Sequence, residues 1–217
     1  MPKLTTPDQV NLNYTDIGSG RPIVMIHGWP LSGAAFADNA KVLAAAGYRV
    51  ITYDRRGFGQ SGKPRDGYDY DTLAADLDAL LTGLDLHDVV LLGFSMGGGE
   101  VARYLATRGS ERVGAAILSG SICPALCITK DNPDGAMPRE GFQELADACA
   151  ADHAGFVDQF CGWFYSNDQG LTVPEEVRQQ AVEIARQSAP HAAVATILTW
   201  TEDLREDCRR IDVPLLV

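Results

Sequence analysis

Two hydrophobic patterns alternate along this chain. Short Val-, Ile- and Leu-rich runs bounded by turn residues read as strands, and between them apolar positions return at helical spacing. An opening strand is predicted over about 10–16, with Gly18-Ser-Gly20 as a turn. Pro22-Ile-Val-Met-Ile-His27 is apolar throughout, as expected of a strand covered on both faces. A helix is predicted near 34–46, closed by Gly47, and then a strand over 49–53. The next helix, 71–83, carries Leu73, Leu77, Leu80, Leu81 and Leu84 on one face. A third central strand covers 88–94, a helix 97–107, and a further strand 113–118.

Beyond Ser121 the pattern predicts helices and no strand. One spans about 139–150, and a second carries Phe156, Phe160, Trp163 and Phe164 on one face. A third is expected to start at Thr172, whose spacing to Glu175 fits a capping box. A fourth follows Ser188-Ala-Pro190, and Ile211-Asp-Val-Pro-Leu-Leu-Val217 reads as a new buried strand. The predicted class is α/β, a mostly parallel sheet flanked by helices. Residues 1–120 form its core, 121–204 an inserted helical cap, and 205–217 the return to the core.

The 217 residues suffice for one large domain with a sizeable core. A net charge of −11 argues against nucleic-acid or anionic-membrane surfaces, which need clustered Lys and Arg. No apolar run is long enough to span a bilayer. The N-terminus lacks the apolar core of a secretory signal, and the five cysteines are odd in number and widely spaced. Both features predict a cytoplasmic protein with free thiols. Cys123 and Cys127 are close enough to pair or bind metal, but no second pair or His stands at zinc-site spacing, so no metal is expected.

The strongest chemical signal is Gly93-Phe-Ser95-Met-Gly97, a G-x-S-x-G motif between a predicted strand and a predicted helix. A tight strand-to-helix turn needs small neighbours, which Gly93, Gly97, Gly98 and Gly99 supply. It lifts the Ser95 hydroxyl above the sheet beside a helix N-terminus, where developing negative charge is favoured. His27-Gly28-Trp29-Pro30 ends an earlier strand, and Asp54-Arg-Arg-Gly57-x-Gly59-x-Ser61 follows the next.

In that order the three motifs resemble the α/β-hydrolase superfamily. Their wording, with Asn132-Pro-Asp-Gly135, Thr201-Glu-Asp-Leu204 and Ile211-Asp-Val-Pro214, resembles its cofactor-free, non-haem chloroperoxidase and aryl esterase branch. The resemblance implies that Ser95 is the nucleophile and that the backbone N–H groups of Met96 and Trp29 form the oxyanion hole. It implies that Trp29 and Met96 line the acyl pocket, to which Phe160, Trp163 and Phe164 are added as wall candidates, with Tyr165, Trp200 and the Cys123 region weaker ones. His27 and Gly28 are expected to hold the oxyanion loop, and Asp54 and Arg55 to structure theirs as ion-pair partners.

A serine nucleophile needs a base, and the base an orienting acid, in this fold in the order Ser, Asp or Glu, His. His27, His87, His153 and His191 do not match the expected base; Asp131 and Asp134 follow the strand after which some relatives of this fold carry their acid, but without a histidine they have nothing to orient. The expectation is therefore a C-terminally incomplete hydrolase, lacking its last strand or strands and final helix, roughly 50–65 residues at ordinary element lengths. Such a chain is expected to be inactive or a fragment.

The functional expectation is a serine hydrolase of small carboxylic esters or lactones, working through an acyl-enzyme. The resemblance adds perhydrolase activity, in which a carboxylic acid and hydrogen peroxide give a peracid that oxidises halide, with no cofactor. Two alternatives stay open: a non-catalytic module binding a small ligand, and a carbon–carbon bond hydrolase. Self-association into a homo-oligomer also stays open.

Overall fold

The computed structural model describes residues 2–217. Seven strands form one sheet: β1 (Lys3–Thr5), β2 (Asn11–Gly18), β3 (Pro22–Ile26), β4 (Arg49–Tyr53), β5 (Val89–Phe94), β6 (Val113–Ser119) and, last in the chain, β9 (Leu215–Leu216). Their order is β1-β2-β4-β3-β5-β6-β9; β1 and β2 are antiparallel to their neighbours and the rest are parallel. The helices are α1 (Ala37–Ala45), α2 (Tyr70–Gly83), α3 (Met96–Arg108), α4 (Arg139–Ala151), α5 (His153–Phe164), α6 (Glu175–Ala185), α7 (Pro190–Thr199) and α8 (Arg205–Arg209). Among the described residues no helix is long and apolar enough to cross a membrane. The continuous apolar strands do face helices on both sides. Val24, Ile26, Ile51 and Leu91 pack with α2 and α3, while Ile23, Met25 and Val50 pack towards α1.

Four local expectations are corrected. The helix expected over 34–46 is a 3₁₀ turn, Gly33–Phe36, followed by α1. Ser32 Oγ accepts from Ala34 N–H and Asp54 Oδ1 from Gly33 N–H, which tightens the entry. Residues 121–204 are not purely helical, because β7 (Ser166–Asn167) and β8 (Gly170–Leu171) form a small hairpin turned by Gly170 at φ 108°. Thr172 caps no helix. Its hydroxyl donates to Tyr165 O across the hairpin base, and α6 starts after Pro174. The strand expected over 211–217 pairs only at Leu215–Leu216, against Ala116 and Ile117. Ile211 is still in the turn leaving α8, where its N–H donates to Cys208 O, and Pro214 has no N–H to offer. β9 lies at the edge of the sheet, with Leu216 63% exposed.

Candidate active site

Ser95 sits between the end of β5 and the start of α3 with φ 52° and ψ −119°. A non-glycine residue there stores about 1–3 kcal/mol of strain, which the surroundings must enforce. The glycines show how. A Cβ on Gly93 would stand 2.4 Å from Gly97 O, and one on Gly97 2.5 Å from Ile26 O. Strand, turn and neighbouring strand are pressed together to backbone contact. Met96 is the first residue of α3, so its N–H is among those with no intrahelical acceptor.

The loop after β3 is brought to the same point. A Cβ on Gly28 would lie 2.9 Å from the Phe94 ring and 3.1 Å from Ser95 Cβ. The Gly28 carbonyl is held twice, by Leu31 N–H at 3.0 Å and by His27 Nδ1 at 2.9 Å. Since a peptide unit is planar, pinning the Gly28 oxygen also fixes the direction of the Trp29 N–H on the opposite side of that unit. Among the described residues neither Trp29 N–H nor Ser95 Oγ has a hydrogen-bond partner.

His27 is fully committed to this loop. A carbonyl only accepts, so Nδ1 carries the proton, and Nε2 accepts from Arg55 N–H at 3.0 Å. Burial and the Arg55 charge hold its pKa well below the ordinary value of 6.5, so it stays neutral. The other histidines are engaged elsewhere: His87 with Asp85, His153 with Ser188 Oγ, His191 with Pro64 O and Tyr68.

Of the two expected ion-pair partners, Arg55 makes an ion pair, with Glu100, whereas Asp54 makes none among the described residues and structures its loop through hydrogen bonds. Asp54 accepts from Gly33 N–H, Gln60 N–H and Asn13 Nδ2, stapling two loops. Arg55 turns inward to Glu100 on α3 and donates to His27 O. Glu100 had drawn no attention in the sequence. The only signal was a charged residue at an otherwise apolar helix position.

Above Ser95 lies a narrow cleft lined by Trp29, Pro30, Leu31, Phe94, Ser95, Phe160, Cys161, Phe164 and Tyr165. Phe160 packs edge-on to Trp29 at 4.7 Å and stacks on Phe164 at 6.3 Å. The Trp29 indole is locked by a bond to Ala193 O and by Trp200 at 5.2 Å. Two wall candidates are elsewhere. Trp163 points out, 54% exposed, with its ring against Phe156, and the Met96 side chain is buried in the packing beneath the cleft. Helical spacing groups 160, 163 and 164 on one face but does not say which edge of that face meets the core. Pro30, Leu31 and Cys161 were missed, because an apolar lining residue carries no motif.

A strained serine at a strand–helix elbow beside two free backbone donors, under an apolar roof on a parallel sheet, defines the α/β-hydrolase class. Residues 21–185 match the family described as "alpha/beta hydrolase fold". The chain is 42% identical to the non-heme chloroperoxidase CPO-A1 of Kitasatospora aureofaciens, over 100% of this chain and 79% of that protein. The crystal structure of a bromoperoxidase from Bacillus anthracis superimposes with a TM-score of 0.94 at 38% identity, covering 99% of this chain and 79% of that one. An esterase from Exiguobacterium antarcticum does so with a TM-score of 0.92 at 32% identity, covering 98% and 78%. The chain therefore belongs to the α/β-hydrolase family of enzymes, in its non-haem chloroperoxidase branch.

Proposed function

We propose that the protein is a serine hydrolase of small carboxylic esters or lactones, with Ser95 as nucleophile. The observation that supports this is the approach of the Gly28 backbone to Ser95 at the strained elbow; on this reading the Trp29 and Met96 N–H groups together form the oxyanion hole. Ser95 Oγ attacks the ester carbonyl carbon, and the carbonyl oxygen becomes an anion facing those two donors. Each donor of this kind is worth about 2.7–4 kcal/mol in the transition state. The alcohol leaves, and the acyl group stays on Ser95 with its chain in the Trp29–Phe160–Phe164 cleft. Water then releases the acid. Hydrogen peroxide in its place releases a peracid, the perhydrolase reaction, and the peracid oxidises halide in solution.

Both half-reactions need a base: in the first it takes the Ser95 proton and passes it to the leaving alcohol oxygen, and in the second it takes a proton from water or peroxide and passes it to the leaving Ser95 oxygen. Among the described residues no histidine is brought to Ser95, so the reading turns on a base that these contacts do not supply. The 217-residue chain should then turn over esters on the order of 10⁴–10⁶ times more slowly than a complete relative. The test is a serine-directed phosphonate followed by peptide mapping on the complete gene product. Label at Ser95 with ester turnover is expected. A complete product with neither would sink the proposal.

That no base reaches Ser95 among the described residues favours one second reading, a module that binds a small apolar ligand in the cleft without turning it over. An ester that binds the complete product, unchanged in affinity by Ser95→Ala and never hydrolysed, would select it.

A further inference from the structure

The five cysteines are not equivalent. Cys127, Cys149 and Cys161 are buried, and burial pushes the Cys149 and Cys161 thiols up to about 11. Cys123 and Cys208 are only half-buried. Cys123 begins the irregular stretch after β6, with its N–H on Ser121 Oγ. Cys208 is in α8, where its N–H donates to Leu204 O, and Leu204 N–H donates to Pro124 O at 2.9 Å. The chain leaving the core at 123–124 and the chain returning to it at 204–208 are thus tied side by side. Cys123 adjoins Pro124 and Cys208 is one helical turn beyond Leu204, so that backbone tie brings the two half-buried thiols to the same junction, near enough to influence each other's acidity. Cys127, the neighbour in sequence, instead turns its thiol to Ile128 O.

We propose that Cys123 and Cys208 form a peroxide-oxidisable dithiol that closes into a disulfide across the base of the helical segment between them. The two thiols differ in acidity: the Cys123 side chain lowers Cys208, which supplies the thiolate, while Cys208 and burial raise Cys123. The Cys208 sulfur attacks one oxygen of hydrogen peroxide. The O–O bond breaks, water leaves, and Cys208 becomes a sulfenic acid. The Cys123 sulfur then attacks the Cys208 sulfur. The S–S bond forms, the S–O bond breaks, and the hydroxide leaves as water with the Cys123 proton. Two thiols and one peroxide give one disulfide and two waters, with two electrons passing from sulfur to oxygen. The loop so closed contains α4, α5, α6 and α7, which makes the constraint on the unfolded chain a long one. This inference needs neither Ser95 nor the hydrolase reading.

The test uses the purified 217-residue chain, folded, with a few equivalents of hydrogen peroxide, then denatured for thiol counting and peptide mapping. Five titratable thiols should fall to three, with a Cys123–Cys208 cross-linked peptide and the loss of two hydrogens in mass. Dithiothreitol should restore all five. The oxidised form should melt higher by about 5–10 °C. Cys127→Ser should behave like the parent, and Cys208→Ser should lose the cross-link. Retention of five thiols in the oxidised parent overturns the proposal. So does a Cys123–Cys127 or intermolecular bridge, or scattered sulfinic acids without a cross-link.

Discussion

Arg55 and Glu100 form an ion pair of 2.9 Å in which neither side chain has any solvent exposure. Tyr53 donates its hydroxyl to the other carboxylate oxygen, and Arg55 Nη2 donates to His27 O at 2.9 Å. Four segments meet here: the end of β4, the loop after it, the loop after β3, and the helix that begins at the nucleophile. One Arg55 nitrogen, Nη1, has no partner among the described residues. The network therefore holds position at the expense of a buried, incompletely satisfied charge.

Breaking one side of this pair should be worse than removing both. Arg55→Ala leaves the Glu100 carboxylate buried without its cation and should lower unfolding free energy by about 3–5 kcal/mol. The double variant Arg55→Met/Glu100→Leu should recover a large part of that loss. Urea unfolding of the single and double variants measures both. Additive losses would show that the pair is not coupled.

His27 makes stability depend on pH with a definite sign. Its folded pKa lies well below 6.5, chiefly through burial, while the unfolded residue titrates near 6.5. Below pH 6.5 the unfolded chain gains a proton that the native chain refuses, so stability falls as pH falls through that region. The slope from this one group approaches about 1.4 kcal/mol per pH unit. His27→Asn, compared with the parent by urea unfolding between pH 7 and 5, should flatten the curve by one proton. His153, lowered mainly by burial, contributes in the same direction in both proteins and cancels in the comparison.

The elbow, its glycines and the alternation of strands and helices around it could be read from the chain because each is a local rule. Apolar runs of strand length, glycines at a tight turn and a serine between them repeat within a few residues of one another. Glu100 could not be read that way, since its partner Arg55 lies 45 positions away and only the folded sheet brings them together. Trp163 failed for a related reason. Its spacing to Phe160 is right for a shared face, but the edge of α5 that meets Trp29 is set by how α5 lies on the core. Thr172 fits a capping box in sequence, yet the short hairpin claims its hydroxyl first.

Two glycine substitutions should have opposite signs. A Cβ at Gly93 meets backbone at 2.4 Å, 2.6 Å and 2.7 Å, none of which belongs to a side chain that can swing away. Gly93→Ala should therefore lower stability by at least about 1–3 kcal/mol and reduce phosphonate labelling of Ser95. A Cβ at Gly162, inside α5, meets nothing within 4 Å and φ there is not positive. Gly162→Ala should raise stability by about 0.5–1 kcal/mol through helix propensity alone. Thermal unfolding of the two variants against the parent separates the cases.

The cleft makes a prediction about acyl size. Phe160 and Phe164 stand over Ser95 and pack against each other, while Trp163, one helical step away, faces solvent. Phe160→Ala removes the ring that closes the space beside Trp29, and a Phe→Ala change opens room for several methylenes. If the acyl chain lies there, alkyl phosphonates with longer chains should label Ser95 faster in Phe160→Ala than in the parent. Each buried methylene adds about 0.8 kcal/mol, or roughly fourfold in rate where it is fully desolvated at the transition state. The shortest phosphonates should gain nothing or lose. Trp163→Ala should leave the whole series unchanged, because its ring does not reach the cleft. A chain-length profile that shifts with Trp163→Ala and not with Phe160→Ala would mean that the acyl group lies outside this cleft.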